Sequence, residues 1–376
     1  MELQMENTSI ICMELLTNNI TSYLSGNSNK NISIVKINNE NLAINGELYF
    51  LLSLKIWRNV LQLLISSSNI WSIKLQKYLL EKERVCLFLQ RTPLIENAIK
   101  AVITAKHNFG KTVSIDKIFS LKSLQDNESE LTTKRLHLIQ CVTEKILNLH
   151  GFKIADENSD YKFVFTSKSQ GNVKENYKRY ICGVVKNIET NCKEIKLTYQ
   201  EYVKNKIKEL KASNEHKYFE AQEYNTETEN NFFEDLAKAT STFELLSVKP
   251  SRPVFIGCNF ATDKNTTNTK GFFNSKFYMN YEEWELIYNF IIGYQQMLKD
   301  CLKYDPIFQV NPQVICIFLA KLCQKFSIYY RRIRILTEAY DHLIPTMSAR
   351  LYMLHALQIV LQNALALIDI IPVSRM

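Results

Sequence analysis

A chain of 376 residues with 46% hydrophobic and 11% aromatic content has the material for a sizeable core, and nine glycines with seven prolines leave little room for long structureless tracts. Its formal net charge of +8 suits a polyanionic partner without requiring one. The nine cysteines are odd in number, scattered and free of any C-x-x-C pair, which argues against a disulfide framework or a zinc site and for reduced thiols in the cytoplasm.

Glu2, Glu6 and Glu14 precede any basic residue, the opposite of a secretory or mitochondrial presequence. Residues 1–84 read as a small α+β domain, with a turn signal at Gly26-Asn27-Ser28-Asn29 and helical patterns over 48–65 and 71–80. The apolar run 48–65 is broken by Lys55 and Arg58, and the run 351–371 by His355, Gln358, Gln362, Asn363 and Asp369. Both therefore read as buried helices rather than membrane spans.

Residues 85–270 have the alternation of an α/β region. A short apolar strand over 85–89 precedes a helix with Leu94, Ile95, Ala98, Ile99 and Val102 at helical spacing. A second helix over 132–149 carries Leu136, Ile139, Val142, Ile146 and Leu149 on one face, stops at Gly151 and feeds strands at 152–154 and 161–166, which argues for parallel pairing. A polar loop over 168–178 follows. Residues 172–211 hold ten Lys/Arg against five Asp/Glu, interleaved with Tyr177, Tyr180, Tyr199 and Tyr202: either a strip facing a phosphate backbone or a solvated lysine-rich helix face. The acidic stretch 215–235 reads as a connector or exposed helix. From about Gly271 the pattern changes to long amphipathic helices over 281–301, 312–336 and 346–370 without strands between them, an antiparallel bundle in a third domain, 271–376.

Four blocks near the end of the chain carry a more specific signal. Phe326-Ser327-Ile328-Tyr329-Tyr330-Arg331-Arg332-Ile333-Arg334, Ala349-Arg350-Leu351, Leu361-Gln362-Asn363-Ala364-Leu365-Ala366-Leu367-Ile368 and Pro372-Val373-Ser374-Arg375-Met376 resemble, in order and spacing, the closing helices of arginyl-tRNA synthetases. Upstream, Thr132-Thr133-Lys134-Arg135 through Phe152 is similar to the helix after the first synthetase signature, and Gly183-Val184-Val185-Lys186 to Tyr202 to the hairpin bearing the second. Leu89-Gln90-Arg91 and Phe243-Glu244-Leu245-Leu246-Ser247 resemble an inactive branch of that family. The resemblance implies a degenerate Rossmann-like α/β region followed by an all-α DALR anticodon-binding bundle, an α+β multidomain chain.

The same resemblance implies that catalysis is lost. The signature histidines, which stabilise the triphosphate where charge develops, fall on about Glu130 and Thr133, and an acidic side chain there repels phosphate. The second signature reads Asn191-Cys192-Lys193-Glu194-Ile195-Lys196-Leu197-Thr198, with two lysines but neither the glycine nor the serine of the mobile loop. Gly110-Lys111-Thr112 lacks the first glycine of a phosphate-binding loop, where Ala105 stands. No cofactor or metal is expected. Glu282, Glu283 and Glu285 read as a solvated helix face, and His355 as a packed or capping residue.

What remains is RNA-binding chemistry, aromatics for stacking and cations for phosphate. Phe326, Tyr330 and Ile333 are expected inward; Arg331 and Arg334, with Tyr329, outward. The expected RNA-contacting set is Tyr329, Arg331, Arg332, Arg334, Arg350, Arg375 and Met376, with Lys193 and Lys196 from the hairpin; a structural salt bridge is the other reading of Arg350. By resemblance, the partners are arginine tRNAs and a tRNA 3-methylcytidine methyltransferase, to which this chain presents them. A helical scaffold without RNA binding and a residual synthetase are the alternative readings.

Overall fold

A computed structural model describes residues 13–25, 34–51, 57–81, 83–124, 128–156, 158–169, 176–218, 226–257, 281–304, 307–336 and 340–372. The turn at Gly26–Asn29 and the tail containing Arg375 and Met376 lie outside them. The chain forms two compact units: residues 1–109, 277–296 and 322–360 in one, and 110–276, 297–321 and 361–376 in the other.

The first unit begins with α1 (Met13–Ser25), β1 (Lys36–Ile37), α2 (Leu42–Asn45), β2 (Leu48–Leu51), α3 (Trp57–Ser67), β3 (Leu75–Glu81), β4 (Arg84–Leu89) and α4 (Arg91–Ala105). The four strands form an antiparallel sheet in the order β1-β2-β4-β3. Central β4 is the continuous apolar run, buried from Val85 to Leu89. Gly46 has φ +63°, and a Cβ there would lie 2.3 Å from the Leu87 carbonyl oxygen, so the turn into β2 needs glycine.

Two helical expectations fail here. Residues 48–51 are a strand, with Leu48 and Phe50 buried and Tyr49 and Leu51 turned away, and the helix starts only at Trp57. The stretch 71–80 is largely β3, in which Leu75 is buried, Tyr78 half-buried and the other side chains exposed, with Ile73 buried just before it. In both, apolar residues on the two faces of a strand fill in the period-two signal and imitate a helical one.

The second unit holds β5 (Ile118–Ser123), α5 (Glu130–Leu149), β6 (Lys153–Ile154), β7 (Tyr161–Thr166) and β8 (Lys178–Ile181), and its sheet is wholly parallel in the order β6-β5-β7-β8. Parallel pairing holds for the strands after α5, joined by β5, whereas the strand over 85–89, read as the start of the α/β region, is β4 of the first unit's antiparallel sheet. Helix α5 buries Leu131, Leu136, Ile139, Val142 and Ile146 and ends at Leu149, two residues before Gly151, φ +81°. Next come β9 (Val185–Asn187), α6 (Tyr199–Tyr218), α7 (Thr226–Leu246) and β10 (Val254–Ile256), which pairs parallel with β9. The acidic stretch therefore contributes to the helices α6 and α7.

The C-terminal helices are α8 (Tyr281–Leu286), continued by a π-helical segment (Ile287–Ile292) into α9 (Gly293–Cys301), then α10 (Gln313–Arg332) and α11 (Ile344–Leu367). Between α9 and α10, where no strand was expected, β11 (Leu302–Lys303) and β12 (Gln309–Val310) pair antiparallel. Tertiary contacts select this conformation. Phe308 stacks on Phe163 at 4.0 Å, and the Tyr180 hydroxyl donates to the Val310 carbonyl and accepts from its N–H. Among the described residues no helix is long and apolar enough to cross a membrane.

Candidate nucleic-acid interface

Helix α8 organises the first unit's helical surface through its carboxylates. Far from forming a solvated face, Glu283 and Glu285 are only 4% and 7% exposed. Each is held by at least one donor from another helix, without which burying a carboxylate would be costly. The Tyr329 hydroxyl and Arg350 Nε both donate to Glu283 Oε1, at 3.1 and 2.8 Å. Lys325 and the Tyr281 hydroxyl donate to the two oxygens of Glu285, and Arg332 donates to Glu282 at 2.6 Å. Burial and the neighbouring Glu283 push the Tyr329 phenol well above the usual tyrosine range, so it remains a donor at neutral pH. The same helix is anchored by Glu47, fully buried, which accepts from Trp284 Nε1, the Leu89 N–H and Arg91.

This network fixes the rotation of α10 and reverses one expectation. Tyr329 is fully buried, while Tyr330 is 65% exposed and stacks on Phe326 with ring centroids 6.0 Å apart. The inward row runs through Ile315, Leu322 and Tyr329 at seven-residue intervals; extrapolation from Phe326 alone selected the wrong tyrosine. A Tyr329 ring enclosed by Glu283 and its surroundings offers no face to a base.

Arg331 and Arg334 are exposed as expected, and neither has an ion pair among the described residues. Arg332 leaves 55% of its side chain exposed despite its bond to Glu282. Arg350 is structural: besides Glu283 it donates to the Arg334 carbonyl, tying the chain after α10 to the first turns of α11. Around that connection Tyr340, stacked on His342, and Tyr352 are solvent-facing. His355 is exposed too, and lies within α11 rather than at its end, so it is neither packed nor capping. The end of α10, the connection and the start of α11 therefore present aromatic faces together with guanidinium groups, the pairing that binds unstacked bases and their phosphates.

The second unit places the signature-like residues differently. Lys193 pairs through an isolated antiparallel bridge with Lys186, and its ammonium is bound by Glu128, whose side chain is 2% exposed and which also accepts from Ser167. Lys196 is exposed. Glu130, at the start of α5, accepts the Tyr199 N–H at 3.0 Å, and the Thr132 hydroxyl accepts the Val185 N–H. In the basic strip, Tyr202 is 5% and Lys206 6% exposed, both bound to Glu244, and Tyr180 is tied to Val310. Among the described residues of the strip the solvent-facing cations are Lys178, Lys196, Lys204 and Lys208, so it acts partly as core and partly as a solvated lysine face.

Arg135, not singled out by sequence reasoning, is wholly buried and donates to five backbone carbonyls, those of Gly183, Leu245, Val248, Lys249 and Arg252. Burial pushes its guanidinium down to about 10. The only sequence signal is an arginine on the apolar face of α5, one residue before Leu136. No cluster of three metal-ligating side chains occurs among the described residues.

The fold is similar to that of arginyl-tRNA synthetases. The Thermus thermophilus arginyl-tRNA synthetase superposes with a TM-score of 0.62 at 8% identity, covering 96% of this chain and 100% of that one. The Plasmodium falciparum enzyme gives 0.58, also at 8% identity, covering 96% and 99%. Residues 258–376 match the family model of the DALR anticodon binding domain. Within the chain, 96 residues are 32% identical to DALR anticodon-binding domain-containing protein 3 of Rattus norvegicus, and 100 residues are 30% identical to the protein of that name in Danio rerio. These matches cover 24% and 25% of this chain and 18% of each relative, so the chain matches less than a fifth of their length.

Proposed function

We infer that this chain binds tRNA through its DALR domain and does no aminoacylation chemistry of its own. The observation that carries the binding is the exposed set Tyr330, Arg331 and Arg334 on and just after α10, beside Lys325 and Arg350, which are bound to buried carboxylates. The loss of catalysis is supported in the second unit, where the hairpin ammonium of Lys193 is occupied by Glu128 and Glu130 stands at the start of α5. In this reading residues 1–84 and the degenerate region 85–270 support the RNA-binding module 271–376 in the cytoplasm. The chain selects arginine tRNAs and presents them to a tRNA 3-methylcytidine methyltransferase, which supplies the chemistry.

The test is filter binding of tRNA over a salt series. Changing Arg331 and Arg334 together to Ala is expected to weaken binding by about 1–3 kcal/mol. If both arginines contact single-stranded phosphates, the salt slope flattens by about 1.4, at roughly 0.7 per contact. The melting temperature should not move, because both side chains face solvent. A folded double variant that binds like wild type removes the α10 surface from the proposal. Adaptor function predicts that the chain leaves tRNA unmodified alone and raises the partner's activity on arginine tRNAs above that on others; equal stimulation of every tRNA would reject selectivity.

A further inference from the structure

β3 is an outer strand of the first unit's sheet, paired with β4 on one side and, among the described residues, with no strand on the other. It is unusually open: Gln76, Lys77, Leu79, Leu80 and Glu81 are exposed, with Leu79 and Leu80 at 46% and 44%. Adjacent residues point to opposite faces of a strand, so apolar surface is open on both faces at this end. The edge is only partly protected. No proline interrupts it, and its register irregularity lies between Leu75 and Lys77, away from the exposed leucines.

The order of side chains along this edge is self-complementary. In an antiparallel pairing of two copies about Leu79, Leu79 faces its own counterpart, Tyr78 faces Leu80, and Lys77 faces Glu81 on both sides of the centre. Lys77, which repels a strand carrying a cation opposite it, is thus neutralised by a second copy of the same strand. Its ammonium lies 4.8 Å from the Phe88 ring, which keeps it on the sheet surface beside that position. We propose that β3 is a homodimerisation edge, joining two copies of this chain into one continuous antiparallel sheet. A single strand pair buries little surface, so the dimer is weak and reversible.

Sedimentation equilibrium of the full chain over a wide concentration range tests this. Wild type is expected to show a monomer–dimer equilibrium. Lys77→Glu and Glu81→Lys each place two like-charge pairs across the centre and should weaken association about tenfold. Mixing the two single variants restores opposite charges at both pairs and should recover wild-type affinity in the heterodimer, as should the double variant Lys77→Glu/Glu81→Lys in its homodimer. Matching circular dichroism and melting curves check that folding is unaffected. A monomer at every concentration, a dimer indifferent to charge reversal, or failure of the mixture to recover would each overturn the proposal.

Discussion

Two neighbouring tyrosines show how far apart adjacent residues can be in role. Tyr329 fills space and donates to Glu283, so Tyr329→Ala should cost about 3–5 kcal/mol of stability through the cavity it leaves. Tyr330→Ala should leave the melting temperature nearly unchanged and weaken tRNA binding by about 1–3 kcal/mol if a base stacks there. Thermal melts and filter binding on the same two proteins separate these outcomes. Arg135 is the corresponding case among the charges. Its carbonyl partners at the end of α7 and in the segments around Gly183 and Arg252 need more donors than an ammonium has, and the C-terminal end of α7 favours the cation. Arg135→Met should therefore destabilise the protein by at least about 3 kcal/mol, and Arg135→Lys should recover only part of that, as read by urea denaturation.

At the scale of the element, α5 ties the second unit together from both ends. Its start carries Glu130 and the Thr132 hydroxyl that anchor α6 and β9, and its end places His150 where a ring nitrogen lies 3.2 Å from the Leu298 carbonyl oxygen. Burial lowers the His150 pKa below its ordinary 6.5, although that carbonyl contact opposes the shift. The unfolded chain then binds the proton more readily than the folded one. The stability His150 contributes is fully present above pH 6.5 and is lost as pH falls through the lowered folded value. Against wild type, His150→Gln should show a shallower loss of stability below pH 6.5 in denaturant titrations, with the curves parallel above it. A steeper loss in the variant would contradict this assignment. Elements whose burial followed one helical face, such as α4 and α5, were legible in the chain. β2 and β3 were not, because apolar residues on both faces of a strand resemble a helix when the neighbour that buries them is unknown.

For the whole molecule, the α5 start and the β9 hairpin define what chemistry is expected. With Lys193 bound by Glu128 and no histidine at Glu130 or Thr133, the purified chain should give no arginine-dependent exchange of pyrophosphate into ATP, with or without tRNA. Exchange above a buffer blank would sink the noncatalytic reading. Glu128→Ala frees an ammonium but restores neither the histidines nor the loop glycine, so it should also remain inactive in that assay.

Sequence order and composition by themselves determined the succession of an α/β region and a helical bundle, the parallel pairing around α5 and the likeness of the closing helices to a DALR domain. Each is written in local spacing or in residue identity at a motif. Tertiary structure alone decided which way α10 is turned, that Glu47, Glu283 and Glu285 are buried hubs, that Arg350 is spent on a carboxylate, and that Lys193 is held by Glu128. These depend on partners 40 or more residues away, and a side chain's sequence neighbours carry no record of which distant donor will meet it.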